Sequence, residues 1–472
     1  MDFETKQIGV TSKQSTLNLE ERKERKIGFG RKIKKFGKWH YIVLLPIFAV
    51  CVSLVFYVIF SVYAYSSDKS FMEKIFKPVM SSIERDENGF VNILLVGQGG
   101  RGHDGPELTD TMIVASIDFE KKNIVMLSVP RDFWVDTKQF GGSRINEVYR
   151  NVKNYLETRF NTSEDIAREE AMRLLISELE NVVDIQIPYY ARIDFDGFMQ
   201  VINRLEGIEV EVEKDIYDET YPDGNWGYEL FELKQGIQTL DGETALKYSR
   251  SRHDSSDFDR AKRQQNVIQA VKDKALSLGV LTSPRKITQL YKVVNEHFYS
   301  NFTLKELLSL AVMGAQFDRA DLSNSVLNDD WNSKGGFLGT PPRADYGGAY
   351  VLIPYSGFEN FERIHIFTKF LFQFRDIQFS KFEVLNGTTR SGLATRAAQR
   401  LERYGFSISS VGNTSNKESY KESELWIYDA ESSILNALPF VQEIFSVKVV
   451  NKVGYYEEAD VAATFVIGED YK

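Results

Sequence analysis

At 472 residues, the chain is too long for one comfortable hydrophobic core, so two or three folded units are expected. The composition, 43% hydrophobic and 26% charged, is too apolar for a disordered chain. The formal net charge of -9 leaves no basic domain for nucleic acid, and the single cysteine, Cys51, excludes a disulfide framework.

The first distinctive segment is an uncharged stretch of 25 residues at positions 41–65, YIVLLPIFAVCVSLVFYVIFSVYAY. It is long enough to cross the roughly 30 Å hydrocarbon core of a bilayer as a helix. Residues 1–40 contain eleven Lys/Arg and five Asp/Glu, so the positive-inside rule predicts a cytoplasmic tail and an exterior remainder. A cleaved signal peptide is the alternative. We favour an uncleaved anchor, because the apolar segment is long and begins 40 residues into the chain.

The exterior chain begins with a polar segment, 66–88, that predicts a stalk. VNILLVG (91–97), TMIVASID (111–118) and NIVMLSVP (123–130) predict buried strands in a sheet covered by helices. Residues 163–183 predict a helix with these residues near one face: Ile166, Leu174, Leu175, Leu179 and Val182. IPYYARID, FDGFMQVINRL and GIEVEVE then alternate strand, helix and strand, which indicates an α/β domain.

The second half of the chain predicts a helical section, a connector and a smaller α/β domain. The region 320–360 is rich in Asn, Asp, Gly and Pro and predicts a long loop. The predicted organisation has six parts. They are a basic tail (1–40), a transmembrane helix (41–65), a stalk (66–88), a large α/β domain (89–320), a connector (321–379) and a small C-terminal domain (380–472).

The stretch YSRSRHDSSDFDRAKRQQN (248–266) gathers five cationic side chains in an acidic chain. Arg250 and Arg252 are two residues apart and would share one face of an extended segment. In the helix predicted from Asp257 onward, Arg260 and Gln264 extend the apolar stripe toward the interior. Ion pairs with the neighbouring aspartates would make this cluster structural. Phosphate, which guanidinium binds bidentately, is the functional alternative.

A second cluster lies at the predicted strand ends. Asp110 begins a buried strand, where an unpaired carboxylate would be costly, and Arg131 and Asp132 follow the end of the next strand. Open α/β sheets bind ligands at such ends. A carboxylate beside arginines fits a magnesium ion that bridges phosphate oxygens, although a salt-bridging or capping carboxylate is the structural alternative.

Together these motifs resemble the LytR-CpsA-Psr family. The resemblance covers about residues 90–275, and more loosely extends to 320, through NILLVG, TDTMIVASID, IVMLSVPRDFWVD, RINEVY, GFMQVINRLEGIEVEV and LDGETALKYSRSRHDSSDFDRAKRQQ. VLNGTTRSGLATRAAQRLERYGF resembles the LytR C-terminal domain. The resemblance implies a three-layer α-β-α catalytic domain with a mixed central sheet, and the small C-terminal domain is expected to be α/β.

The resemblance also implies a membrane-bound phosphotransferase that moves a glycopolymer from a polyprenyl-diphosphate carrier to peptidoglycan through a phosphodiester. It implies Mg²⁺ or Mn²⁺ at Asp110 and an apolar groove for the lipid. The implied catalytic residues are Asp110, Arg131, Arg250 and Arg252, and the implied diphosphate ligands are Arg131, Arg250, Arg252, Arg260 and Gln264.

One turn departs from the family pattern. Many members carry an aspartate after the first strand, where this chain reads VGQGGRGHDG. Either His103 or Asp104 takes over, with Asp104 as a second metal ligand, or the carboxylate is dispensable. Arg101 in this glycine-rich loop is a further candidate for phosphate binding.

Three questions stay open at the sequence level. The acceptor of the hydroxyl proton could be Asp132, Asp104 or an arginine-bound carboxylate. The same site could use water and act as a polyprenyl-diphosphate phosphohydrolase, or the chain could be a non-catalytic envelope-binding or regulatory membrane protein. A nucleic-acid partner is not expected, because a 40-residue cytoplasmic tail cannot build a DNA-binding domain.

Overall fold

The computed structural model describes residues 83–471, apart from residues 104 and 379 and the ranges 223–226, 252–256, 281–282, 315–316, 318–321, 416–418, 430–432 and 454–460. The predicted tail, transmembrane helix and most of the stalk therefore lie outside the described residues. Within the described ranges, no helix is both long and apolar enough to cross a membrane.

A mixed six-stranded sheet forms the centre of the first domain. In spatial order its strands are β11 (Phe298–Ser300), β6 (Tyr189–Asp194), β1 (Val91–Gln98), β2 (Thr109–Asp118), β3 (Asn123–Ser128) and β12 (Leu322–Val326). The β1–β6 and β3–β12 pairs are parallel and the other three pairs are antiparallel. The carboxyl ends of β1, β3, β6 and β12 therefore meet the amino end of β2 at one edge of the sheet.

Helices cover both faces of this sheet, as the three-layer prediction requires. They are α1 (Ile145–Phe160), α2 (Glu164–Val183), α3 (Phe195–Arg204), α4 (Gly242–Arg250), α5 (Asp257–Ser277), α6 (Pro284–Val294) and α7 (Leu304–Gly314). Leu94, Val114 and Leu127 pack with α1 and α2 on one face. On the other face, α5 and α7 pack with alternate strand residues such as Ile93 and Ile113. The alternation follows from the two-residue period of a strand.

Four two-stranded antiparallel sheets lie outside the central sheet. They are β4 (Trp134–Thr137) with β5 (Gly141–Arg144), β7 (Ile208–Val212) with β10 (Gly236–Leu240), β8 (Ile216–Pro222) with β9 (Tyr228–Leu233), and β13 (Leu338–Gly339) with β14 (Ile353–Pro354). The strand predicted from GIEVEVE is β7, and its alternating Ile208, Val210 and Val212 face a separate core beneath α4 and α5.

The helix predicted at 163–183 is α2, but its buried face was wrong at one position. Ile166 is 55% exposed, whereas Leu175, Leu179 and Val182 are buried. Ile166 and Leu175 are nine residues apart, which is about two and a half helical turns, so the two side chains leave opposite sides of the helix. Ala167 and Ala171 line the buried face instead.

The predicted connector also contains more structure than expected. Its first described residues form β12, which pairs with β3 along the whole edge of the central sheet. The pattern of this strand, LSNSV, lacks the apolar run of the central strands, because two of its three buried residues, Ser323 and Ser325, are serines.

The C-terminal domain is a five-stranded α/β unit. Its sheet order is β16 (Ser407–Asn413), β15 (Lys381–Asn386), β19 (Ala463–Ile467), β17 (Glu424–Ile427) and β18 (Lys448–Asn451), and its helices are α8 (Glu362–Gln373), α9 (Arg375–Gln378), α10 (Leu393–Tyr404) and α11 (Leu438–Ile444). Phe367 and Phe370 of α8 join one hydrophobic core that also includes Leu127 of the central sheet. The two domains therefore share a core.

Candidate active site

Five of the predicted phosphate- and metal-binding residues line one cavity of about 300 Å³ at the sheet edge where β2 begins. The cavity is lined by Asp110, Thr111, Arg131, Phe195, Asp218, Thr220, Tyr221, Pro222, Arg250, Arg260 and Gln264. Among these described residues, three guanidiniums face two carboxylates. The fold thus brings Asp110, Arg131, Arg250, Arg260 and Gln264 together from four separate segments.

Of four other predicted residues, two lie outside the described part of the chain and two do not line this cavity. Arg252 and Asp104 lie outside the described residues. Arg101 is exposed and does not line the cavity that the structure describes. His103, the alternative to Asp104, packs edge-on against Phe195 with 5.0 Å between ring centroids. No described contact therefore supports Arg101 or His103 as a phosphate or metal ligand.

Asp110 is held by two side chains through one of its oxygens. Arg131 Nη1 and Asn146 Nδ2 each donate to Asp110 Oδ1 at 3.0 Å. Among the described residues, both side-chain hydrogen bonds to this carboxylate go to Oδ1, and the side chain is 32% exposed. Asp110 therefore lines the cavity with Oδ2 available for a cation or a ligand.

Asp132 has a structural position rather than a catalytic one. The side chain is buried, with Arg131 Nε 3.4 Å from Oδ2 and Arg144 Nη1 3.4 Å from Oδ1. It does not line the described cavity. Asp132 orients Arg131 and is poorly placed to accept a proton from a substrate in the cavity.

Arg250 presents its charge against aromatic rings. Its guanidinium lies over Phe195, 4.5 Å from the ring centroid, and Nη1 donates to Tyr221 Oη at 3.0 Å. Burial raises the pKa of Tyr221, and the nearby Arg250 opposes that shift. Tyr221 is therefore a neutral phenol whose hydroxyl hydrogen can point at a ligand in the cavity.

Arg263 of α5 is hydrogen-bonded to the C-terminal end of α4. Arg263 is buried, its Nε donates to the Tyr248 carbonyl at 2.9 Å, and its Nη2 donates to the Ser251 carbonyl. A cation at these carbonyls satisfies the C-terminal end of α4. Burial lowers the pKa of Arg263. Its neighbour Lys262 is solvated and pairs with Glu213.

The departure in the first turn is explained by a buried arginine. Gln98 accepts from Arg192 Nη1 at 3.0 Å and donates to the Glu107 carbonyl at 2.9 Å. Arg192 also donates to Tyr149 Oη. Gln98 thus links Arg192 to the loop through hydrogen bonds. The described part of this turn places no carboxylate in the cavity.

A family model described as the LytR_cpsA_psr family matches residues 56–336. The chain belongs to the LytR-CpsA-Psr family. A second model, described as LytR cell envelope-related transcriptional attenuator, matches residues 380–471.

This LytR-CpsA-Psr protein is similar in sequence to several bacterial proteins. The cell wall biosynthesis protein LcpA of Corynebacterium glutamicum is 25% identical over 73% of this chain and 71% of LcpA. The regulatory protein MsrR of Staphylococcus aureus is 28% identical over 60% of this chain and 80% of MsrR. The polyisoprenyl-teichoic acid–peptidoglycan teichoic acid transferase TagT of Bacillus subtilis is 26% identical over 46% of this chain and 62% of TagT.

An apolar cavity of about 250 Å³ lies next to the arginine-lined cavity. The two cavities share Thr111, Phe195, Arg250 and Gln264. The remaining lining comes from β1, β2, β6 and β11 and from α3, α4 and α5. Most of it is aliphatic or aromatic, including Leu95, Val96, Ile113, Ile193, Phe198, Leu246, Val267, Ile268 and Phe298. Its apolar lining is of the kind that the implied lipid groove requires.

Sequence reasoning missed four residues of the site. Asn146 lies within the quoted RINEVY motif, which was the available signal for it, yet it received no role. Asp218 and Tyr221 come from a hairpin with no motif, and Phe195 reads as an ordinary helix residue. Asp218 is buried and accepts from Ser251 Oγ at 2.8 Å, which ties the hairpin to the end of α4.

Proposed function

We propose that this protein is a phosphotransferase of the cell envelope. It moves a glycopolymer from a polyprenyl-diphosphate carrier to peptidoglycan, leaving a phosphodiester. The observation that carries this proposal is that a three-arginine cavity and an apolar cavity lie side by side and share four lining residues. A charged head group joined to a long hydrocarbon chain matches both halves. The name of TagT supports the same substrate class.

The protein groups supply charge neutralisation and orientation. Arg131, Arg250 and Arg260 bind the two phosphates, and Gln264 and Tyr221 add neutral hydrogen bonds. Arg131 is partly neutralised by Asp110 and Asp132, whereas the described hydrogen bond of Arg250 goes to a neutral phenol. Arg250 therefore offers the larger net attraction to an incoming anion.

The reaction is an in-line displacement at the phosphorus that carries the glycopolymer. A hydroxyl oxygen of the acceptor glycan forms the new P–O bond. The bond from that phosphorus to the bridging oxygen breaks, and polyprenyl phosphate leaves with the electron pair. The transition state is loose, so the hydroxyl needs little deprotonation beforehand and its proton passes to water.

The residues fit a divalent metal, which we propose to be Mg²⁺ or Mn²⁺. The described residues contain no group of three or more potential metal-binding side chains. Magnesium commonly uses one or two carboxylates together with substrate phosphates and water, and Asp110 offers one carboxylate oxygen beside the arginines. A bound metal would neutralise charge on the phosphate oxygens.

The uncharged segment 41–65 would hold the catalytic domain at the outer face of the membrane, where a polyprenyl carrier is embedded. The bilayer is in that case a third partner besides the lipid-linked polymer and peptidoglycan. Deleting residues 1–65 should release the protein from washed membranes, and retention there would contradict the anchor.

The transferase proposal is tested with the full-length protein in detergent, lipid-linked polymer, isolated glycan strands and Mg²⁺. We expect polymer covalently linked to glycan, and no linkage after chelation with EDTA. Free polymer phosphate without linked glycan would identify a phosphohydrolase. No turnover, together with unchanged envelope function after Asp110→Ala, would identify a non-catalytic protein.

A further inference from the structure

The segment predicted as a connector forms one wall of another cavity at the phosphate site. This cavity is about 280 Å³ and shares Asp110, Thr111, Arg131, Arg260 and Gln264 with the phosphate cavity. The connector contributes Asn328, Asp329, Asp330, Ser333, Tyr350 and Leu352. The described site is therefore completed by residues that follow the central sheet in the chain.

We call this cavity of about 280 Å³ the connector cavity. The connector cavity and the apolar cavity lie on different sides of Asp110. The apolar cavity is lined from β6, β1 and β2, whereas the connector cavity is lined from β2, from the end of β3 and from the residues at and after the end of β12. In the sheet order β6-β1-β2-β3-β12, the two cavities therefore extend in opposite directions from the strand that begins at Asp110.

The connector wall has a defined geometry. Asn328 is buried, and its Nδ2 donates to the carbonyls of Val326 and Lys334 at 3.0 and 2.9 Å. Its Oδ1 accepts from Asp330 N at 3.0 Å and from Ser333 Oγ at 2.8 Å. These four bonds close the loop on itself and fix the direction of the intervening Asp329.

Asp329 stands among exposed aromatic side chains. Its Oδ2 accepts from Tyr350 Oη at 3.4 Å and its carbonyl accepts from Tyr355 Oη at 3.3 Å. Tyr355 packs edge-on against Trp331 at 4.8 Å, and the two are 47% and 39% exposed. Arg403 of the C-terminal domain lies over the Trp331 ring, 3.4 Å from its centroid.

Rigid, exposed aromatic rings beside a carboxylate suit a sugar. A pyranose ring has an apolar face of C–H groups that packs on an aromatic ring, and its hydroxyls donate to carboxylates. Tyr and Trp supply such contact area at little entropic cost because each has only two side-chain torsions. We call the group Asp329, Trp331, Tyr350 and Tyr355 the connector surface. Asp329 and Tyr350 line the cavity, and the exposed Trp331 and Tyr355 lie beside it on the protein surface.

We propose that the connector surface binds the acceptor glycan strand and presents its hydroxyl to the phosphate site. This inference rests on the proposed transferase function. In an in-line displacement, the nucleophile approaches from the side opposite the leaving group. The leaving polyprenyl phosphate lies toward the apolar cavity, so the acceptor enters from the connector cavity. The glycopolymer stays on the reacting phosphorus and occupies neither the apolar cavity nor the connector cavity.

The test compares Tyr355→Ala and Asp329→Asn with wild type in full-length protein. Tyr155→Ala is the matched control, since Tyr155 is also exposed (44%) and packs edge-on against Phe140 and Phe160. Thermal unfolding verifies that each variant folds. We expect the acceptor KM to rise about tenfold in both test variants, with kcat and the donor Kd changed less than about twofold.

Two results would overturn the proposal. If the donor Kd rises as much as the acceptor KM, the surface binds the glycopolymer of the donor instead. If neither constant changes, the surface binds no glycan during turnover.

Direct binding separates this inference from the transferase proposal. The probe is a β-1,4-linked N-acetylglucosamine oligosaccharide, titrated by calorimetry without any donor. Wild type and Tyr155→Ala should bind it and Tyr355→Ala should bind at least about tenfold more weakly. An active wild type that binds no probe contradicts the connector surface, whereas probe binding without any transfer contradicts only the transferase proposal.

Discussion

Arg250 shows how a single residue combines charge with orientation. Its guanidinium is supported by the Phe195 ring and by the Tyr221 hydroxyl, both neutral partners. Planar guanidinium can stack and still present a fork of donors to phosphate, which an ammonium group cannot do. The aromatic support therefore places the charge without neutralising it.

Replacing Arg250 with alanine should lower turnover about a hundredfold, the usual cost of losing one preorganised electrostatic contact. Arg250→Lys should recover little of that loss because it neither stacks nor binds bidentately. The measurement is kcat for polymer transfer at saturating donor. Lys247→Ala is the control, since this lysine of the same helix pairs with Glu229 and Glu243. Full activity of Arg250→Ala would show that this residue takes no part in the transfer reaction.

Asp110 should matter through its charge rather than through its size. Asp110→Asn keeps the shape of the side chain but removes the anion that Arg131 pairs with and that a metal would need. We expect transfer to fall by about two orders of magnitude. The apparent Mg²⁺ requirement, measured by titrating the metal into the transfer assay, should rise as well. Wild-type metal dependence in this variant would assign the metal elsewhere.

At the scale of elements, the packing of α4 against α5 brings Arg250 close to Arg260 and Gln264. Arg263 of α5 holds the two helices together, since it donates to two carbonyls at the end of α4. Gly242, at the other end of α4, allows close packing, because an added Cβ would meet the Met199 carbonyl oxygen at 2.4 Å. The charged ligands depend on these supporting contacts.

Arg263→Leu should destabilise the protein by about 2–4 kcal/mol, because buried carbonyls lose their charged donor. It should also lower the transfer rate, since Arg250 and Arg260 lose their alignment. Urea unfolding and the transfer assay measure the two effects. Lys262→Leu changes the adjacent solvated cation. It should leave the free energy of unfolding within about 0.5 kcal/mol of wild type and the transfer rate unchanged. Equal effects in the two variants would contradict the structural role of Arg263.

The sequence predicted those elements whose local pattern alone indicates which residues are buried. The apolar runs of β1, β2 and β3 are buried on both faces, and the helix predicted from Asp257 follows its period, so both were recognised. The edge strand β12 and the exposed Ile166 were missed, because burial there is decided by tertiary partners that local pattern does not contain.

Some residues of the candidate site were likewise predicted from the sequence, and others were missed. Arginines and Asp110 were found because charge is conspicuous at predicted strand ends. Tyr221, Asp218 and the connector surface were missed, because they reach the site only through a hairpin and a loop whose final position depends on the whole fold. Buried Arg263 and solvated Lys262 are adjacent in sequence, and only packing separates their roles.

At the scale of the whole molecule, the connector and the C-terminal domain are packed into the catalytic unit. Lys334 lies at this junction: its Nζ donates to Gln378 Oε1 at 2.8 Å, and Gly335 N donates to the Arg403 carbonyl at 3.0 Å. Burial lowers the pKa of Lys334 to about 8. A partly desolvated ammonium therefore stands between the domains and reduces stability.

Lys334 predicts a specific dependence of stability on pH. Below pH 8 the lysine is protonated in the folded and unfolded states, and the full penalty applies. Between the folded pKa of about 8 and the ordinary value of 10.5, the unfolded state binds more protons, so stability rises with pH. The shift corresponds to about 3 kcal/mol, and partial solvent access reduces our expectation to about 1–2 kcal/mol.

Lys334→Met should therefore raise the free energy of unfolding at pH 7 by about 1–2 kcal/mol, and the gain should shrink as the pH approaches 10. Urea unfolding at several pH values measures this difference. The exposed Lys369→Met serves as the control. A gain that does not depend on pH would show that packing, and not the buried charge, is responsible.

The most direct measurement of the central claim is the affinity of the full-length protein for a prenyl diphosphate and for the matching prenyl monophosphate. Calorimetry in detergent with geranylgeranyl derivatives compares wild type with Arg250→Ala. If the arginine cavity holds two phosphates and the apolar cavity holds the chain, the diphosphate binds at least about tenfold more tightly, and Arg250→Ala removes most of that preference. Equal affinity for the two lipids, unchanged by the substitution, would contradict the account.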